Sequence, residues 1–228
     1  MRQQVTLIKI FVGGPGDVDM EKKAMKALAD QINHTTALAR GIQLFAVNFE
    51  DDVLPGFGDD AQAVINAQID FGSLDLFIGI LWKRFGTKTN RAESGTEEEF
   101  EKCYSLWSKN KRPRLLLYFN SASFSREDTD AEQLGRVTVF QKRVEARGGL
   151  STTYNGINDF KEKVRRHLDK FIESLDANKE INDQAGTIVF APANIPLPVG
   201  AKVKGVNFRL SGVAQEHHFK VITSSRKS

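Results

Sequence analysis

The chain has 228 residues, of which 40% are hydrophobic and 27% charged, a balance typical of globular proteins rather than disordered or fibrous ones. Its 32 basic and 29 acidic residues give a net charge of +3 and are spread along the sequence, so composition offers no support for nucleic-acid binding. The single cysteine, Cys103, excludes an intrachain disulfide. No apolar run reaches the roughly 20 residues of a membrane helix and the N-terminus lacks a signal-peptide pattern, so we expect a cytoplasmic protein without a membrane partner.

The first part of the chain alternates predicted strands with predicted helices. The run VTLIKIFVGG is a β-branched and aromatic strand that stops at glycine, and helical spacing follows in Met25, Leu28, Ala29 and Ile32. A second strand, IQLFAVNFE, is followed by the turn-rich PGFGDD and by AQAVINAQI, which predicts a helix with an aspartate cap. The run LDLFIGILW is apolar on both faces, so we expect it in the middle of a parallel sheet.

The second part continues this alternation and then changes character. We expect a helix over residues 96–110, the strand RLLLYFN, a helix over 129–147, an edge strand in STTY and a closing helix over 157–175. This order predicts a flavodoxin-like, doubly wound, mostly parallel α/β sheet over residues 1–178. Residues 183–228 contain three prolines between Pro192 and Pro198 and the alternating runs KVKGVNFRL and HFKVIT, which indicate a small C-terminal β appendage.

Two predicted loops lie where ligands of parallel α/β sheets bind, outside the carboxyl ends of the strands. In GGPGD, Gly13, Gly14 and Gly16 would let backbone N–H groups approach a ribose or phosphate, although a plain tight turn explains the same glycines. After the third strand, Trp82 and Arg84 could stack on a base and bind a phosphate. Alternatively, Trp82 covers the end of the sheet and Arg84 is solvated or paired with a carboxylate.

The third candidate is SGTEEEFE, at the start of the predicted helix 96–110. Thr96 as N-cap and Glu99 three residues later form a capping box, and capping alone explains both residues. Helical geometry puts Glu98 opposite the apolar stripe, facing water, and Glu99 about a quarter turn from the stripe, bordering a cleft. A fixed carboxylate there suits cleavage of an N-glycosidic bond, because the transition state resembles an oxocarbenium ion. Nicotinamide leaves NAD as a neutral pyridine, so no general acid is required.

Four segments together carry a family resemblance: IKIFVGGPGDV, PGFGDDAQAVINAQID, LDLFIGILWKRFGT and ESGTEEEFEKCY. In order and spacing, they resemble the TIR-like family catalogued as domain of unknown function 4062, over residues 6–176. That family is similar to TIR domains and nucleoside 2-deoxyribosyltransferases, in which a helix-borne glutamate serves N-glycosidic chemistry on NAD or nucleosides. The match of SGTEEE to the transferase pattern S-G-T-x-x-E assigns this role to Glu99. The family's first loop usually has two serines where Gly13 and Gly14 stand here, so hydroxyl donors are lost.

The resemblance implies a NAD-consuming glycohydrolase of antiviral or stress signalling that becomes active on self-association as a homo-oligomer. Glu99 would be catalytic, NAD would be the substrate, and no cofactor or metal is expected. The residues expected to bind the ligand are Gly13, Gly14, Gly16, Asp17, Trp82, Arg84 and Thr96. Two alternatives stay open: a non-catalytic TIR-like module for protein assembly, and an enzyme that transfers deoxyribosyl groups between nucleosides.

Overall fold

The computed structural model describes residues 5–125, 127, 130–177 and 187–188, which form a parallel sheet with helices on both faces. The parallel strands are β1 (Val5–Gly13), β2 (Ile42–Val47), β3 (Leu76–Leu81), β4 (Arg114–Asn120) and β5 (Thr152–Tyr154). The helices are α1 (Asp19–Ile32), α2 (Phe49–Asp52), α3 (Ala61–Gln68), α4 (Gly95–Asn110), α5 (Ala131–Ala146) and α6 (Gly156–Ala177). Shorter segments are the 3-10 turns Gly16–Val18, Leu38–Arg40 and Phe71–Ser73 and the π-helical Asn33–Ala37.

The strand order is β2-β1-β3-β4-β5, and each of these neighbouring pairs is parallel. This confirms the predicted doubly wound α/β fold. As predicted, β3 is central and buried along its whole length, and β5 is an edge strand. The chain order reverses between β1 and β3, which is where a crevice for ligands opens in folds of this class.

Two hydrophobic cores lie on opposite faces of the sheet. On one face, α1 and α6 pack on side chains such as Ile10 and Ile78. On the other, α4 and α5 pack on side chains such as Phe77 and Phe119. The two sets alternate along each strand, because successive side chains of a strand point to opposite faces. The position of a residue along its strand therefore decides on which face of the sheet its side chain lies.

The C-terminal part of the chain contributes one short described strand, β6 (Thr187–Ile188). It pairs antiparallel with Val5 and Thr6, at the amino end of β1 and so away from the carboxyl ends of the strands. The predicted strands KVKGVNFRL and HFKVIT and the expected boundary at residue 183 lie outside the described residues. None of the helices in the described ranges is long and apolar enough to cross a membrane.

Candidate active site at the β1/β3 switch point

Helix α4 is capped by Ser94 and not by Thr96, so the predicted capping box is wrong. Ser94 has the extended backbone of an N-cap, with φ −158° and ψ 161°, and its hydroxyl accepts a hydrogen bond from the Glu97 N–H at 3.1 Å. The Glu97 carboxylate in turn accepts one from the backbone N–H of Glu93 at 2.7 Å. Thr96 is the second residue of the helix and is buried. Glu99 therefore has no capping role.

The Glu99 carboxylate is buried at the carboxyl end of β1. Its side chain is only 2% exposed, and Oε1 accepts a hydrogen bond from Nε2 of Gln62, on α3, at 3.2 Å. Oε2 lies against Gly13, where an added Cβ would be 2.5 Å from this oxygen and 3.3 Å from the Phe77 ring. The structure thus brings Gly13 and Glu99 together on the α4–α5 face of the sheet, beside the switch point.

Glu98 does not face water as predicted. It is 4% exposed, and its carboxylate accepts hydrogen bonds from Arg91 Nε at 2.6 Å, Asn66 Nδ2 at 2.7 Å and the Thr89 hydroxyl at 2.8 Å, with Lys102 Nζ at 3.2 Å. The prediction failed because α3 and the loop after β3 fold over the helix face that periodicity assigned to solvent. Burial alone would raise the pKa of the Glu98 carboxyl, but these hydrogen bonds together lower it below its usual value.

The same cluster joins α3 to the loop after β3. Arg91 Nη2 contacts Oδ1 of Asp60 at 2.8 Å, and the backbone N–H of Asn90 donates to Oδ2 of Asp60 at 3.0 Å. Asp60 is also the N-cap of α3, as predicted, because its side chain accepts from the Ala63 N–H at 2.7 Å. Arg91 therefore links Glu98 on α4 to the residue that starts α3.

Asp17 ties together the two loops that border the switch point. Its Oδ2 accepts hydrogen bonds from the backbone N–H groups of Lys83 and Arg84, both at 3.0 Å. Its Oδ1 is buried and has no hydrogen-bond partner among the described residues. Burial raises the pKa of the Asp17 carboxyl, and the two backbone hydrogen bonds offset only part of that effect. At Gly14 the loop after β1 approaches strand β3 closely, since a Cβ there would lie 2.7 Å from the Ile80 carbonyl oxygen.

Trp82 lies apart from Glu99. Its Nε1 donates to the Ala122 carbonyl at 3.2 Å, its ring meets the edge of Phe124 at 6.4 Å, and it packs on the core beneath α1 and α6. The alternation along β3 puts Trp82 on the same face as Ile80, opposite the face that carries Glu99. Trp82 thus covers the end of the sheet.

Two of the predicted ligand residues are exposed, whereas the thiol of Cys103 is buried. Gly16 and Arg84 are exposed, next to the hydrogen bonds that Asp17 makes. The Cys103 thiol is fully buried, and its pKa is raised by burial and by the charge of Glu99, so it is not a thiolate nucleophile. In the described part of the chain, no group of three or more His, Cys, Asp or Glu side chains is arranged to hold a metal ion.

Three residues that surround the two glutamates were not predicted from the sequence, namely Gln62, Asn66 and Arg91. The prediction for α3 rested on the segment AQAVINAQI and its aspartate cap, and it assigned no role to the polar side chains of the helix. The informative feature was the pair of amides at Gln62 and Asn66, four residues apart and so on one face of the helix. Amide side chains on one helix face can donate hydrogen bonds to carboxylates of another helix. Here Gln62 and Asn66 donate to two of the three consecutive glutamates of α4.

Comparisons with known proteins show the family of the chain and a distant similarity to solved structures. The sequence matches the family described as "Domain of unknown function (DUF4062)" over residues 9–169. No curated protein matches it. Among solved structures, it is similar to translation elongation factor SelB from Methanococcus maripaludis in the apo form, at 14% sequence identity and a TM-score of 0.43. The match covers 81% of this chain and 41% of that one, so this chain spans less than half the length of that protein.

Proposed function

Given that the chain belongs to the DUF4062 family, we propose that it is a NAD-consuming glycohydrolase with Glu99 as its catalytic residue. The observation that supports this best is the buried Glu99 carboxylate beside Gly13 at the carboxyl end of β1. Strands β1 and β3 flank the point where the strand order reverses, and open α/β sheets bind their ligands there. The carboxylate thus lies beside the edge of the sheet where ligands of this fold class bind.

The proposed reaction needs one anion and one water molecule. The bond between the ribose C1′ and the nicotinamide nitrogen breaks, and its electron pair goes to the pyridinium ring, which leaves as neutral nicotinamide. The ribosyl group carries the positive charge until water adds to C1′ and releases a proton. Glu99 stabilises that cation as a fixed anion beside the reacting ribose.

The other residues of the site have supporting roles in this proposal. Gly13 leaves the space that the Glu99 carboxylate occupies. Asp17 holds the loops after β1 and β3 together, and Arg84, exposed beside them, is the contact proposed for phosphate. Trp82 is left out of the nicotinamide pocket because its ring lies on the other face of the sheet. As the family resemblance implies, the proposed setting is cytoplasmic defence or stress signalling, with activation by self-association.

The test is release of nicotinamide from NAD by the purified full-length chain, measured by chromatography over a range of protein concentrations. Glu99→Gln keeps the size of the side chain and removes its charge, so we expect the rate to fall by about 10²-fold or more. Glu101→Gln is the matched control: it makes the same change on the same helix, at a partly exposed residue paired with Arg147. Its rate should stay within about twofold of wild type. Full activity in Glu99→Gln would refute the assignment.

The second candidate function is a non-catalytic assembly module. It is favoured by the burial of Glu99 and its hydrogen bond to Gln62, which are also what a purely structural carboxylate requires. This reading predicts no nicotinamide release at any protein concentration, together with a concentration-dependent increase in molecular mass. Exchange of bases between nucleosides, lost in Glu99→Gln, would instead identify a deoxyribosyltransferase.

A further inference from the structure

Glu99 is too deeply buried to meet a dinucleotide in the conformation described. Its side chain is 2% exposed, and Gln62, which donates to it, is 6% exposed. We propose that α3 is a movable cover over Glu99, in which Gln62 shields and orients the carboxylate and the Glu98 cluster is the latch. The role of this motion in catalysis rests on the proposed function, but the motion itself does not.

Helix α3 is only loosely packed on the rest of the domain, so it can move away from Glu99 without disrupting either core. Gln62 is its one buried residue, and Val64 and Ile65 are only half-buried. Within the described part of the chain, neither core includes a residue of Ala61–Gln68. The loop before α3 is exposed as well, with Phe57 fully in solvent. Segments with little buried apolar surface open at a small cost in free energy, because few contacts are lost.

Polar contacts hold α3 in place instead. Asn66 donates to Glu98, and Arg91 bridges Glu98 to Asp60, so both ends of α3 are fastened to one buried carboxylate. Charge-assisted hydrogen bonds of this kind are stronger than those between neutral groups and depend on geometry, so this cluster keeps α3 in the closed position. Glu98 is therefore a latch for α3 and has no direct part in the chemistry.

The space around the Gln62 side chain fits its amide group closely. A Cβ on Gly95 would lie 2.4 Å from Oε1 of Gln62, so the absence of a side chain at Gly95 makes room for the amide. The amide is thus held between Gly95 and Glu99, where it orients the carboxylate. When α3 moves away, Glu99 loses this donor and is uncovered towards the carboxyl end of β1, where hydroxyl groups of a ribose can replace it.

Hydrogen exchange measured by mass spectrometry tests the cover without reference to activity. In the wild-type chain, amides of residues 63–69 should exchange about tenfold or more faster than those in the middle of α4. Glu98→Gln should speed exchange in α3 by a further tenfold or so, the change that corresponds to the loss of about 1.4 kcal/mol. Glu101→Gln removes a charge from an arginine-paired glutamate on the same helix and should leave α3 within about twofold of wild type.

The outcomes separate this inference from the proposed function. Equal exchange in α3 and α4, or no change in α3 with Glu98→Gln, would overturn the cover even if nicotinamide release depended on Glu99. Faster exchange in α3 with no nicotinamide release from any variant would keep the cover and remove the enzyme. If Glu98→Gln also loosened β3, the milder Asn66→Ala would decide, because it removes only one of the bonds to Glu98. Unchanged exchange in α3 there would count against the latch.

Discussion

Replacing Gly13 with alanine adds a methyl group at the point where β1 meets Glu99. The new Cβ would lie 2.5 Å from Oε2 of Glu99 and 3.3 Å from the Phe77 ring. The carboxylate must therefore retreat by roughly 1 Å to reach an ordinary van der Waals contact. It has little room to do so, because its side chain is buried and its other oxygen is held by Gln62 at 3.2 Å.

The magnitude follows from the hydrogen bond that this retreat breaks. Loss of a hydrogen bond to a buried charged group costs about 1–3 kcal/mol. Alanine regains about 0.4–1 kcal/mol because it reduces the freedom of the unfolded chain. We therefore expect Gly13→Ala to lower the free energy of unfolding by about 1–2 kcal/mol, and Tm by about 2–8 °C for a domain of this size.

Gly16→Ala is the matched control in the same loop. Among the described residues, no atom lies within 4 Å of a Cβ added at Gly16, which is exposed. Its free energy of unfolding should equal that of wild type or exceed it by up to about 1 kcal/mol. Urea denaturation followed by circular dichroism measures both variants. Equal stability of Gly13→Ala and Gly16→Ala would refute the placement of Glu99 against β1.

Two further predictions concern the other carboxylates. Asp17→Asn keeps an acceptor for the Lys83 and Arg84 N–H groups and should stay within about 1 kcal/mol of wild type, whereas Asp17→Ala should lose about 1–3 kcal/mol in urea denaturation at pH 7. Equal losses in both would contradict the role of Asp17 as a tether. Because the folded protein lowers the pKa of Glu98, its stabilising effect is complete above the unfolded value of about 4.5 and is lost as the pH falls through the folded value. The difference in unfolding free energy between wild type and Glu98→Gln should be constant above about pH 6 and shrink below about pH 5; a constant difference down to pH 3 would contradict it.

The fold was predictable because hydrophobic periodicity reports directly on burial. The uninterrupted apolar run of β3 predicted a central strand, and the spacing of apolar residues predicted α1, α4, α5 and α6. The aspartate cap of α3 was also predicted, since Asp60 stands directly before a helical segment. These features are local in sequence, or depend only on which face of an element is apolar.

The surroundings of the site were not predictable in the same way. Ser94 and Thr96 are both good caps, and only the path of the preceding loop decides that Ser94 takes the position. Periodicity assigned Glu98 to solvent because it considers one helix at a time, whereas α3 and Arg91 come from distant parts of the chain to bury it. The side of the sheet that Trp82 takes depends on the strand register, which the sequence does not define to within one residue.

The three consecutive glutamates of α4 contact different parts of the chain, and the position of Glu99 favours it as the functional one. Glu97 pairs with Arg143 of α5 and Glu98 with Arg91, so each fastens α4 to another element through a charged donor. Glu99 accepts from the amide of Gln62, and its other carboxylate oxygen lies against Gly13 at the carboxyl end of β1. Ligands of open α/β sheets bind outside that end of the strands, so the Glu99 carboxylate lies at the ligand-binding end of the sheet. Hydroxyl groups of a ribose can replace the Gln62 amide at the switch point, whereas displacing either arginine would also detach the element that it holds.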